Sequence, residues 1–83
     1  MIVTVVGMKF RGNHRFSTND IIFLEKDENN PYDKNAIKVM VDEDHKGFLT
    51  KEDAIKVRKI ENFESKVLEF VQHFKASAQL QIK

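Results

Sequence analysis

Apolar positions in this chain come in short runs separated by polar, turn-forming stretches, the pattern of a fold built mainly from strands. Ile2 to Val6 is β-branched at every position and closes at Gly7, which favours a strand over a helix of the same apolarity. Lys9 to Asp20 is polar, carries Gly12, Asn13, Ser17 and Asn19, and has Phe10 and Phe16 as its only aromatics, so it reads as an irregular extension and turn. Ile21 to Glu25 gives a second strand, which Asn29-Asn30-Pro31 breaks. Proline does not fit a central strand and asparagine tolerates left-handed turns, so Glu28 to Asn35 is expected to be a fixed loop. From Ala36 the pattern alternates, with Ile37, Val39 and Val41 on one face and Lys38, Met40 and Asp42 on the other, the period of a half-buried strand.

Asp42 to His45 reads as a polar hairpin turn, and Lys46 to Leu49 as a short fourth strand containing Gly47. Thr50 followed by Asp53 is a capping-box variant with Asp in place of Glu or Gln, and Ala54, Val57 and Ile60 recur at helical spacing. A helix of about three turns over Lys51 to Ile60 follows. In Phe63 to Phe74 both periods fit: Val67, Val71 and Phe74 at helical spacing, Leu68 and Phe70 at strand spacing. Ala78, Leu80 and Ile82 alternate, so the reading favours a closing pair of strands. The order is β-β-β-β-α-β-β: a mostly β chain with one or two short helices (α+β class), in which about six strands close into a small barrel and so remove sheet edges. No internal repeat is visible.

Eighty-three residues at 41% hydrophobic and 33% charged suit one small globular domain spanning 1–83. The absence of cysteine removes disulfides, thiol catalysis and thiolate metal sites together. No run approaches the about 18 apolar residues of a membrane span, and Ile2 to Val6 is too short for a signal-peptide core and lacks a basic lead. Met1, with no His-tract or vector-like scar after it, reads as a native start, and the expectation is a cytoplasmic protein with no membrane partner. A formal net charge of +1 leaves bulk charge neutral on the question of a polyanionic partner. Any charge argument is local: Met1 to Phe16 holds Lys9, Arg11 and Arg15 and no acid, while acids gather at Asp27 to Glu28 and Asp42 to Asp44.

Catalytic constellations are missing. His14, His45 and His73 form no HxH or HxxxH pair, and Ser17, Ser65 and Ser77 lie in no GxSxG context, so neither a histidine metal site nor a nucleophile elbow is indicated. Asp42, Asp44, Gly47 and Asp53 do fall at positions 1, 3, 6 and 12 of a calcium-binding loop. Position 5, however, is Lys46, a cation where an oxygen ligand is required, and the element entering the loop is a strand. The reading is a chain that is not an enzyme and takes no metal or cofactor.

The richest stretch is Asn29-Asn30-Pro31-Tyr32-Asp33-Lys34-Asn35-Ala36-Ile37-Lys38-Val39. As a purely structural turn, Asn30 starts it, Pro31 presets φ, Asp33 caps backbone donors, Asn35 takes a left-handed position and Tyr32 covers the core edge. That reading leaves unexplained why an aromatic, a carboxylate and Lys34 are concentrated in one tight loop, and loops on rigid scaffolds often carry function. Both readings stay open on the residues alone.

Taken with Val5-Val6-Gly7-Met8-Lys9-Phe10 and Leu24 before it, and Gly47-Phe48-Leu49 and Ala54 after it, this stretch resembles the HIRAN domain from about Val5 to Val57. That is the module found in certain SWI2/SNF2-type DNA translocases of damage tolerance and in small stand-alone bacterial and phage proteins. Beyond Phe63 the resemblance is one of general pattern. It implies an OB-like barrel that binds single-stranded DNA and captures a free 3′ end, with a role in DNA repair or replication and association with the nucleoid.

Carried onto this sequence, the resemblance gives Tyr32 and Phe10 as stacking platforms for unpaired bases. Asp33 would accept a hydrogen bond from a terminal hydroxyl and repel phosphate, with Asn29 and Asn30 around the last nucleotide. Lys9, Arg11, Lys34 and Lys51 would hold phosphates. Lys51 matches a family lysine, at a helix start where a cation is otherwise unfavourable. Phe48 stands where the family can carry a more polar residue, and its reading as core packing stays open beside its place in the site. The chain departs from eukaryotic members at Phe10-Arg11, where they carry paired aromatics. The expected partners are single-stranded DNA or DNA 3′ ends. The rival reading is an adaptor that docks a helicase or nuclease. A monomer is favoured, with a dimer left open through exposed strand edges.

Overall fold

Two antiparallel three-stranded sheets, joined along two short seams, make the architecture. The computed structural model describes residues 1–8 and 15–82. The strands are β1 (Ile2–Val6), β2 (Ile22–Lys26), β3 (Ile37–Val41), β4 (Asp44–Leu49), β5 (Val67–His73) and β6 (Ala78–Ile82), with one helix, α1 (Lys51–Arg58), and a 3-10 turn at Phe63–Ser65. They close into a barrel in the order β1-β4-β3-β2-β5-β6. Within each three-stranded half, the meander β2-β3-β4 and the sheet β1-β6-β5, the pairing is long: Ile22 to Lys26 runs against Val41 to Ile37, and Ile2 to Val5 against Gln81 to Ala78. The seams are short, Val5↔Leu49 and Val6↔Phe48 on one side, Ile22↔Leu68 and Phe23↔Val67 on the other.

Alternate apolar positions of the strands turn inward. Val3, Val5, Ile22, Leu24, Ile37, Val39, Leu68 and Leu80 are almost wholly buried, and Val57 of α1 joins them. Each such side chain contributes about 1.5–3 kcal/mol of transfer free energy, which is what holds a barrel this small together. Met8, Phe16, Ala54 and Phe63 extend the same cluster from outside the strands. Among the described residues no buried side-chain nitrogen or oxygen lacks a hydrogen-bond partner, and no helix is long and apolar enough to cross a membrane.

Several boundaries differ from the sequence expectation. The helix ends at Arg58, short of Ile60, because Lys59 and Ile60 donate to Lys56 and Val57, an i to i−3 tightening that closes the last turn before Asn62 adopts φ 57°. The capping box is half formed: Thr50 Oγ1 accepts from the Asp53 amide at 3.2 Å, while the Asp53 carboxylate is turned away to β1. Ile21 stays outside β2 and is exposed. The β3–β4 turn is only Asp42-Glu43, with Asp42 at φ 54°, a conformation aspartate tolerates. Met40, expected on an outer face, is buried, flanked in register by Phe23 and His45.

The ambiguous segment is a 3-10 turn followed by a strand, with a register irregularity between Phe70 and Gln72. That irregularity breaks the alternation and lets Val67, Val71 and Phe74 mimic helical spacing, yet all three are exposed. Phe70 and His73 instead meet Phe16, whose amide donates to His73 Nε2 at 2.9 Å.

Candidate nucleic-acid interface

The connection from β2 to β3 is a loop whose shape is set by its own side chains. The Asp27 amide donates to Ala36 O at 3.0 Å and closes its base. Inside, Asn30 Oδ1 accepts from the amides of Tyr32 and Asp33 at 2.9 and 3.0 Å, and its Nδ2 donates to Asp27 Oδ2 at 3.2 Å. Asp33 Oδ1 accepts from the Asn35 amide at 2.9 Å, and the Ala36 amide donates to Asp33 O at 3.2 Å. These are side-chain versions of tight turns, the reason Asn and Asp dominate such loops.

The consequence is a projecting aromatic. Tyr32 is 92% exposed, so it does not cover the core edge as the structural-turn reading required. Asn35 does not take a left-handed conformation either, because the Asp33 cap and the closing Asp33–Ala36 bond make the turn without one. Asn30 has both ends of its amide engaged within the loop, which makes it a residue that shapes the loop. Asp33 Oδ2 has no protein partner among the described residues.

Strand register fixes what lies beside the loop. Lys26 pairs with Ile37 and Lys38 with Phe48, so the loop, the end of β4 and the start of α1 gather at one end of the β2-β3-β4 meander. Phe48 lies on the outer barrel face, half-buried, edge-on to His45 at 4.6 Å, and is not part of the core cluster. Lys51 opens α1 and is exposed, as are Asn29 and Lys34. Lys9, Phe10 and Arg11 lie outside the described residues.

The glycine of the GxL strand has a steric reason. A Cβ on Gly47 would come within 2.6 Å of the Val6 carbonyl oxygen and 2.9 Å of Val5 Cγ1. Only a bare backbone lets β1 cross β4 this closely, and that crossing seats Phe48 opposite Val6. The VVG and GxL motifs, more than forty positions apart in sequence, are the two sides of this one contact.

One residue at this end was absent from the sequence reading. Arg58, in the last turn of α1, donates from Nε to Asn35 O at 3.0 Å and from Nη2 to Lys34 O at 3.3 Å and Ala36 O at 3.4 Å. Its only sequence signal was a cation at a helix C-terminus, which the helix dipole already explains.

The whole of residues 1–83 matches the HIRAN domain family. The fold is similar to the crystal structure of the HIRAN domain of human HLTF, with a TM-score of 0.75 and 31% identity over 99% of this chain and 71% of that one. No curated protein matches the chain. The match includes the final third, where the sequence alone offered only general pattern, and the closed six-strand barrel agrees with it throughout. The chain belongs to the HIRAN domain family, a family of DNA-binding modules.

Proposed function

We propose that the protein is a non-catalytic single-stranded DNA-binding module that prefers free 3′-hydroxyl ends. The observation that carries this is Tyr32, 92% exposed on a loop held by bonds of its own Asn30 and Asp33. Burying such a ring against a base is worth about 1–3 kcal/mol, and a loop already fixed loses little entropy on binding. Asp33 supplies the end preference. Its Oδ1 is committed to the Asn35 amide, and Oδ2 accepts the terminal hydroxyl of a strand whose last base lies on Tyr32. A 3′-phosphate or a continuing strand brings an anion to the same oxygen and is disfavoured. Lys34 in the loop and Lys51 at the start of α1, both exposed, neutralise backbone phosphates. The module acts wherever such ends are processed, with a helicase or nuclease as a natural neighbour.

The chain has one tyrosine and no tryptophan, so intrinsic fluorescence reports this loop alone. Titration with short single strands ending in 3′-hydroxyl or 3′-phosphate, and with a blunt duplex, tests the proposal. Quenching that is tightest for the 3′-hydroxyl strand is expected. Equal affinity for all ends removes the end preference, and no binding at low salt removes the DNA reading in favour of an adaptor for a DNA-processing enzyme.

A further inference from the structure

Arg58 is held in a way that leaves part of it unused. Arginine carries five N–H donors in a rigid planar fork. Its bonds to the carbonyls of Lys34, Asn35 and Ala36 use the edge formed by Nε and Nη2, and Nη1 meets no protein acceptor among the described residues. No carboxylate pairs with it among the described residues either: the ion pairs near this end of the barrel are Lys26 with Glu64 and Lys38 with Glu25. Carbonyl dipoles orient a guanidinium without cancelling its charge. A cation so fixed has already lost the side-chain entropy that an ordinary surface arginine loses on gripping an anion.

The helix places it on a usable track. Lys51 and Arg58 are seven residues apart in α1. At about 100° per residue both project from the same flank, about 10.5 Å apart along the axis. Ile55 lies between them, 49% exposed. Glu52 and Asp53 leave the helix about 100° and 200° around from Lys51, so that flank carries cations and an apolar side chain and no acid.

We propose that Arg58 is a phosphate ligand of this site, offering Nη1 to a backbone phosphate of the strand whose terminal base lies on Tyr32. The bound strand then leaves the loop along α1, across Ile55 toward Lys51. This rests on the single-strand reading above. It adds a residue whose two donor edges do different jobs: one fixes the loop backbone from Lys34 to Ala36, and the other faces the ligand.

The test is a salt series followed by Tyr32 fluorescence, with an oligothymidylate ending in a 3′-hydroxyl, on the wild type, Arg58→Gln and Arg58→Lys. Each lost phosphate contact makes the log–log salt slope shallower by about 0.7 for a single strand. Arg58→Gln is expected to show that change together with an affinity about tenfold lower at low salt. Arg58→Lys keeps the charge and therefore the slope, while losing affinity because a compact ammonium does not reproduce the rigid planar fork that both fixes the loop and faces the ligand. An unchanged slope in Arg58→Gln makes the residue a structural staple and overturns the proposal, whatever happens to affinity. Arg58→Met, which keeps the aliphatic stem, is the second charge-removing variant should Arg58→Gln fail to melt cooperatively. A wild type that binds no single strand instead brings down the DNA reading, and this inference falls with it.

Discussion

The backbone amide of Thr4 in β1 donates to Asp53 Oδ2 of α1 at 2.8 Å, across forty-nine positions of sequence. Thr4 O in turn accepts from the Thr50 amide at 3.1 Å, so the helix start and the first strand are tied in both directions. A carboxylate placed for capping the helix has been diverted to extend a short seam of the barrel. Asp53→Ala should therefore destabilise the fold by about 1.5–3 kcal/mol, the range for a hydrogen bond to a charged group. Asp53→Asn keeps an acceptor and should lose less. Urea unfolding with unchanged slope and a lowered midpoint is the expected readout, and wild-type stability in Asp53→Ala would contradict it.

Gly47→Ala should be more damaging than its size suggests. The added methyl would lie 2.6 Å from the Val6 carbonyl oxygen, backbone that cannot move without opening the β1–β4 seam. A loss of at least about 1–3 kcal/mol is expected, as for overpacking in a core. Thermal unfolding measures it, and a variant that melts with the wild type would show that the seam is more pliable than its geometry implies.

At Tyr32 the expectation reverses. With 92% of the residue exposed, Tyr32→Ala should leave the melting temperature where it is. Binding of a single strand should weaken by about 1–3 kcal/mol, and Tyr32→Phe should retain most of it, since stacking uses the ring face. Anisotropy with a labelled oligonucleotide measures both variants. A stability loss without a binding loss would identify the ring as structural.

Asp33→Asn separates loop shape from the proposed end recognition. The amide oxygen still accepts from the Asn35 amide, so stability should change by no more than about 0.5 kcal/mol, as for surface substitutions. The preference for a 3′-hydroxyl over a 3′-phosphate should shrink, because the repelling charge is gone. If the variant unfolds early and keeps its preference, the carboxylate serves the turn alone.

Asn30 is the contrasting case, since both ends of its amide are used within the loop. Asn30→Ala should lower stability by about 1 kcal/mol, as loss of comparable caps does. It should weaken single-strand binding as well by loosening Tyr32. Asn30→Asp keeps the acceptor but faces Asp27 with a second carboxylate, and should be no better. Unaltered hydrogen exchange at the Tyr32 and Asp33 amides in Asn30→Ala would refute this account.

Much of this was legible in the chain itself. Strands β1, β3 and β6 follow from β-branched runs and alternation, which are local, and the β2–β3 loop follows from Asn, Pro and Asp chemistry, local too. The β5 segment was ambiguous because an irregularity near Val71 breaks the period that pattern reading depends on. Of the candidate site, the loop residues stood out by type and Lys51 through the family resemblance, whereas Arg58 did not, since nothing nearby in sequence says that a helix-terminal cation faces a loop more than twenty positions earlier.

The sequence by itself determined β1, β3 and β6, the place of the loop between β2 and β3 and the resemblance to the family, because turn chemistry and side-chain period act over a few residues. Tertiary structure alone decided the closure of β1 on β4 through Gly47, the turn of Asp53 toward Thr4, the outward seat of Phe48 and the reach of Arg58 to the loop. Each of these depends on contact between distant segments, and such contacts exist only once burial of the core has brought the two halves of the barrel together.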